Sequence, residues 1–321
     1  MRLAGLLVLL TIVAAAEAAR VQDVRPLMGT AVELIAEGAD EAALRAASEA
    51  AFREMQRLSQ MMNHYDPASV VSAINAAAGA RAVALPPELA EVLAQARRVS
   101  ERTAGAFDVT IGGLRGWRFR PGEARVPAPA EIAAQLPKVD YRKLKSDRTS
   151  AFLTEKGMKI DLGGIAKLYI LEAGRRVLEA RGVPRALING GGDVVAHSSG
   201  APWRVGVRNP RAPGELLGVV QIKNGCVAAS GDYERFFVRD GKRFHHILDP
   251  RTGYPAEGAR GVTLVGPSAE AVNGVGPAIM VLGTEAGQKL IAATPGVEGL
   301  IVGRDGKLWT SRGLRWLPMR R

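Results

Sequence analysis

The stretch "SGDYERFFVRDGKRFHHILDPRTGYP", residues 230 to 255, sets His245 and His246 just ahead of Asp249 and a Pro-Arg-Thr-Gly turn. Adjacent side chains on a strand point to opposite faces, so the two histidines are badly placed to share a metal. A single imidazole beside a carboxylate suits proton transfer better, because its pKa lies near neutral pH. Asp249 either supports His246 or holds the turn through its own hydrogen bonds, and one residue can do both.

Two glycine-rich stretches could hold an anion. "KIDLGGIAK", residues 159 to 167, reads as a strand that delivers Asp161 to its end, a Gly163-Gly164 turn, and a helix with Lys167 one turn in. Free N–H groups at a helix start, together with a lysine, favour a phosphate. The stretch is neither a Walker A loop nor a GxGxxG fingerprint, and a plain strand-turn-helix junction has the same pattern. "NGGGDVV", residues 189 to 195, follows an apolar strand with glycines that permit positive φ and close backbone approach. Asp193 either faces a ligand there or caps a turn.

The surrounding elements follow from periodicity and punctuation. Thr30–Ala36 reads as a strand after a Met28-Gly29 turn, and residues 39–63 show helical spacing. A turn and short helix, capped near Asp66 or Ser69, occupy residues 65–75, and Pro86-Pro87 open another helix. Residues 105–113 look like a loop, and 118–150, rich in Pro, Arg and Lys, like an irregular excursion. Residues 158–182 predict a strand, a turn and a helix ending at Gly182. Strands are expected at 186–189, 203–207, 217–223, 235–238, 262–265, 299–302 and 308–310, with Asp240-Gly241 turning a hairpin and one helix near 285–294. Strands and helices without regular alternation indicate an α+β fold, arranged as one compact two-lobed unit.

The totals narrow the context. A hydrophobic fraction of 47% with 23% charged residues is ordinary for a water-soluble domain. The net charge of +11 favours acidic partners. No helix-turn-helix, zinc-finger or RNA-binding signature accompanies it, so nucleic acid is not an expected partner. Arg2, the apolar run Leu3–Val13 and Ala16-Glu17-Ala18 read as a signal peptide over residues 1–18, too short to span a bilayer. Residues 19–321 are then a single exported domain, expected in the periplasm. Cys226 is the only cysteine, which excludes an intrachain disulfide.

Taken in order, "MGT" (28–30), "YDPASVVSAIN", "GAFDVTIGGL", "IDLGGIAK", "INGGGDV", "SGDYER" and "HILDPRTGYP" resemble successive motifs of the ApbE family. The resemblance runs from about residue 27 to 290, and "HILDPRTG" and "DLGGIAK" are its most specific parts. It implies an exported, magnesium-dependent FAD:protein FMN transferase, which splits FAD and joins FMN to a Thr or Ser of an acceptor protein. The implied acceptor is a membrane redox protein. By the same resemblance Met28, Tyr65, Ala106, Phe107, Asp108, Asp161 and Ser230 line the FAD pocket, and Lys167 serves the pyrophosphate. His246 is the implied base for the acceptor hydroxyl, with Asp249 and Thr252 in the flavin-site turn.

One stretch departs from the pattern. Where the family has an aspartate and, four residues on, a threonine that bind Mg²⁺ with a backbone carbonyl near Ala166, this chain has Asn273 and Pro277. Hard Mg²⁺ prefers anionic oxygen, and proline offers no side-chain ligand. Leu168, Glu172 and Ala229 also stand where Gly, Asp and Thr are usual. Three readings follow: a transferase with an altered metal site, a flavin-binding homologue acting as carrier or accessory factor, and an FAD pyrophosphatase.

Overall fold

A computed structural model describes residues 19–120, 122–212 and 214–319. The signal peptide expected at residues 1–18 lies outside the described residues.

The chain opens with a hairpin that the sequence only half announces, β1 (Ala19–Leu27) and β2 (Thr30–Gly38). Its turn residues Met28 and Gly29 have φ of 53° and 72°, the left-handed pair that matches strand twist. Next come α1 (Glu41–Met62), α2 (Val70–Ala76), β3 (Val83–Ala84) and α3 (Pro87–Arg102). Asp40 caps α1 by accepting from the N–H groups of Ala42 and Ala43, and Ser69 caps α2. The tract expected to be irregular contains α4 (Pro129–Gln135), β4 (Leu144–Ser146) and the start of β5 (Ser150–Leu153). With only Ile132 buried in α4, the helix has no apolar stripe for a reader of periodicity to find.

The strand expected at residues 158–162, where Met158, Ile160 and Leu162 are buried, joins no sheet among the described residues beyond one bridge from Lys159 to Ile111. The Asn75 side chain takes the ladder's place, donating to the Ile160 carbonyl at 3.0 Å and accepting its N–H at 2.7 Å. After α5 (Ala166–Ala180) follow β6 (Arg185–Gly190), β7 (Asp193–Ser198), β8 (Trp203–Arg208), β9 (Leu216–Ile222) and β10 (Gly225–Gly231). Next are the hairpin β11 (Phe236–Arg239) and β12 (Lys242–His245), then β13 (Ala259–Gly266). The last elements are α6 (Ala269–Val272), α7 (Val275–Leu282), α8 (Thr284–Ala292), β14 (Glu298–Gly303), β15 (Leu308–Thr310) and β16 (Trp316–Pro318).

An eight-stranded antiparallel sheet in the order β1-β2-β6-β7-β10-β13-β14-β15 forms the frame. Its alternating side chains feed two cores. Val32, Leu34, Ile188, Val195, Val262 and Ile301 pack with the helices, whereas Ile35, Leu187, Val194, Ala196 and Leu300 pack with the small sheet β16-β9-β8. The α+β class read from the sequence is the one observed. On α5, a Cβ at Gly174 would lie 2.8 Å from the Met55 sulfur, so glycine there lets α1 and α5 close up. Among the described residues no helix is long and apolar enough to cross a membrane. Cys226 is buried, and burial pushes its thiol pKa up to about 12, leaving it inert.

Candidate active site

Several loops converge at the N-terminal end of α5. Asp161 turns the chain by accepting the Gly163 N–H on Oδ1 at 2.7 Å, and Leu162 O receives the N–H groups of Ile165 and Ala166. Gly164 faces Phe107, and a Cβ there would sit 3.1 Å from the ring and 3.7 Å from Pro277. Gly274, with φ of 73°, approaches the same ring, and a Cβ at Gly276 would lie 2.5 Å from Ser230 Oγ. Phe107, the Gly163-Gly164 turn, Ser230 and the segment 273–277 are therefore one packed cluster.

Lys167, one turn into α5, places Nζ 2.8 Å from Asp193 Oδ2. Asp193 is itself fixed, because its Oδ1 accepts the Ala229 N–H at 2.9 Å. The glycine turn of residues 190–192 is closed by Asn189, whose side chain accepts the Gly192 N–H. It abuts the first hairpin, since a Cβ on Gly191 would meet Thr30 Oγ1 at 2.6 Å. Thr30, two residues past Met28, thus comes with Lys167, Asp193 and Ser230 from distant segments to neighbouring positions around β6, β7 and β10.

β12 ends at His245, so His246 lies just past the strand and strand alternation does not govern the pair. His245 is buried and its Nε2 lies 2.8 Å from the Ala256 carbonyl. His246 keeps part of its surface exposed, yet its Nδ1 is shut off from solvent and has no partner among the described residues. Its backbone N–H donates to the Arg235 carbonyl. Burial, then the positive charges of Arg235, His245 and Lys167, push its pKa down to about 3. The imidazole is neutral in the free protein, so it can accept a proton.

Other residues named from the sequence serve the fold first. Asp108 is buried, and its carboxylate accepts from Thr110 N–H, Thr110 Oγ1 and Tyr141 N–H at 2.7, 2.6 and 2.7 Å. It fastens the 108–110 loop to residue 141, and burial raises its pKa against those bonds. Ala106 is buried beside Phe107. Asp249 closes its turn by accepting from Arg251 through both oxygens, while its carbonyl receives the Thr252 and Gly253 N–H groups. Thr252 is exposed, and its Oγ1 accepts the Tyr254 N–H. Tyr65 is 78% exposed at the rim.

Two features were not read from the sequence. His64 lies tilted against Tyr65, ring centroids 3.9 Å apart, and brings Nδ1 to 3.4 Å from Asp161 Oδ1; its only signal in the sequence is its place beside Tyr65. The Ile165 carbonyl receives the Asn273 side-chain Nδ2 at 2.8 Å, a contact that no local pattern announces. Ala166 opens α5, so its own carbonyl is directed along the helix.

The sequence model of the ApbE family matches residues 28–301, from the first hairpin turn into β14. The chain belongs to the ApbE family. Among curated ApbE relatives, the FAD:protein FMN transferase of Treponema pallidum is 31% identical over 85% of this chain and 81% of that protein. One from Klebsiella pneumoniae is 37% identical over 72% of each. Among solved structures, the ApbE protein of Thermotoga maritima superposes with a TM-score of 0.82 at 32% identity, covering 92% of this chain and 97% of that one. The flavin transferase ApbE of Vibrio cholerae gives 0.78 at 25% identity, over 92% and 98%.

Proposed function

We propose that this chain is an FAD:protein FMN transferase that cleaves FAD, links FMN by a phosphodiester to a Thr or Ser hydroxyl of an acceptor protein, and releases AMP. The observation that carries this reading is His246, a neutral and partly exposed imidazole that feels the charge of Lys167, in a family whose curated relatives bear that name. The acceptor hydroxyl gives its proton to the imidazole as its oxygen attacks the FMN-side phosphorus. The bond from that phosphorus to the bridging oxygen breaks, and AMP leaves with that oxygen. A pKa of about 3 makes the free imidazole a weak base. The negative pyrophosphate raises its proton affinity, so base strength arrives with the substrate. Lys167 and the first-turn N–H groups of α5 that follow Ala166 meet the phosphate oxygens.

Asn273 and Pro277 favour a second reading, a flavin carrier or accessory factor that binds FAD without transfer. Hydrolysis follows if water replaces the protein hydroxyl. Incubating the mature protein with FAD, magnesium and an acceptor fragment separates the three. Covalent gain of FMN mass on the fragment is the expected result. Bound FAD without AMP release supports the carrier, and free FMN plus AMP without a mass gain supports hydrolysis.

We also propose that residues 19–321 form one domain, exported to the periplasm, with a membrane redox protein as acceptor. Support comes from the apolar run Leu3–Val13 and from Ala16-Glu17-Ala18. Cell fractionation and N-terminal sequencing test it, with a mature chain beginning at Ala19 expected in the periplasmic fraction.

A further inference from the structure

Asn273 ends α6 and is 4% exposed. The orientation of its amide is settled by its partner. A carbonyl oxygen only accepts, so the side chain must turn its NH₂, and not its oxygen, toward Ile165 at 2.8 Å. This bond ties the α6–α7 junction to the start of α5, across 108 residues of sequence. Made in a buried position, it leaves the Ile165 carbonyl satisfied without any other ligand.

A magnesium ion at this junction would need near-octahedral oxygen ligands at about 2.0–2.1 Å, at least one of them anionic in an ordinary protein site. The donor set here is of the wrong kind. The position facing the Ile165 carbonyl is filled by an NH₂ carrying partial positive charge, and Pro277 contributes only ring carbons. Gly274 and Gly276 add no side chain. Of the nearby carboxylates, Asp193 is paired with Lys167, and Asp161 is engaged by the Gly163 N–H beside His64. No group of three His, Cys, Asp or Glu residues among those described is close enough to hold a metal. The residues present do not fit a hard divalent cation.

We propose that the Asn273–Ile165 hydrogen bond takes the place of a divalent cation at this junction, so that the site binds flavin dinucleotide without magnesium. The inference rests on the flavin reading above. The electrostatic part is supplied by Arg235, whose charge reaches His246, by the α5 N–H groups that follow Ala166, and by Lys167 as phosphate oxygens compete with Asp193 for its ammonium. The structural part, holding α6–α7 against α5, is supplied by the amide.

The test measures FAD binding by flavin fluorescence quenching, and melting temperature without ligand, each in excess EDTA and in excess magnesium. Wild-type affinity should change by less than about threefold between the two conditions, and its melting temperature should not respond to magnesium. Asn273→Asp puts an acceptor against an acceptor, so its melting temperature should fall in EDTA. In Asn273→Asp/Pro277→Thr, magnesium should restore it and FAD affinity should become magnesium-dependent. Wild-type affinity that weakens about tenfold or more in EDTA overturns the inference and leaves the transferase reading standing. Magnesium-independent binding without FMN transfer overturns the transferase reading alone. No binding in either condition overturns both.

Discussion

His246 is useful as a base only while its imidazole is uncharged. Its pKa falls from the ordinary 6.5 to about 3, by burial first and then by the charge of Arg235. Between those values the unfolded chain holds a proton on this ring that the native chain does not. Stability is therefore fully present above about pH 6.5 and is lost as pH falls toward 3, in proportion to the protons taken up on unfolding. Urea midpoints of the wild type should drop more between pH 7 and pH 5 than those of His246→Gln, and equal slopes would remove His246 from the account. For function, His246→Ala should lower transfer by about 10²–10⁴-fold, the usual worth of a positioned base, with FAD affinity nearly unchanged. If FAD binding vanishes too, the ring's role is structural. The sequence shows this residue because a histidine beside a turn is a local pattern. The Thr110 contact of Asp108 is a local turn pattern, but the sequence does not show that the other carboxylate oxygen goes to Tyr141, because that partner depends on where a loop from residue 140 returns.

The α6–α7 segment explains how a helix tolerates two glycines and a proline. Asn273 leaves helical geometry at φ −63° and ψ 130°, Gly274 reverses at φ 73°, and α7 restarts at Val275. Pro277 falls in the first turn of α7, where backbone N–H groups lack helical partners in any case, so its missing donor costs nothing. The sequence predicts a restart at Pro277 with Asn273 to Gly276 irregular, whereas the irregular backbone is confined to Asn273 and Gly274. Gly276 is demanded by contact: a Cβ there sits 2.5 Å from Ser230 Oγ and 3.2 Å from its Cβ. Gly276→Ala should therefore lower both melting temperature and FAD affinity. Adding Ser230→Ala should restore part of the melting temperature, since only the wider contact then remains. Failure of that rescue would mean that the Ser230 hydroxyl is not what Gly276 avoids.

At the scale of the whole molecule, a sheet covered on both faces explains why some strands were legible and β7 was not. All six residues of β7 are buried, so "DVVAHS" lacks the alternation that marks a half-exposed strand and reads as the tail of a glycine loop. Leu34, fully buried on the helix side, tests the larger core. Leu34→Ala should cost about 2–5 kcal/mol in urea denaturation, and a loss under about 1 kcal/mol would mean that the core relaxes around the cavity. The sheet order has a consequence in time as well as in space. β2 finds its second neighbour only in β6, with Val32 opposite Gly190, and β7 finds its own only in β10. Closing such long loops before any contact rewards them makes folding slow. A chain that cannot finish its sheet until most of it has been synthesised stays threadable for longer, which is what the export proposed above would require.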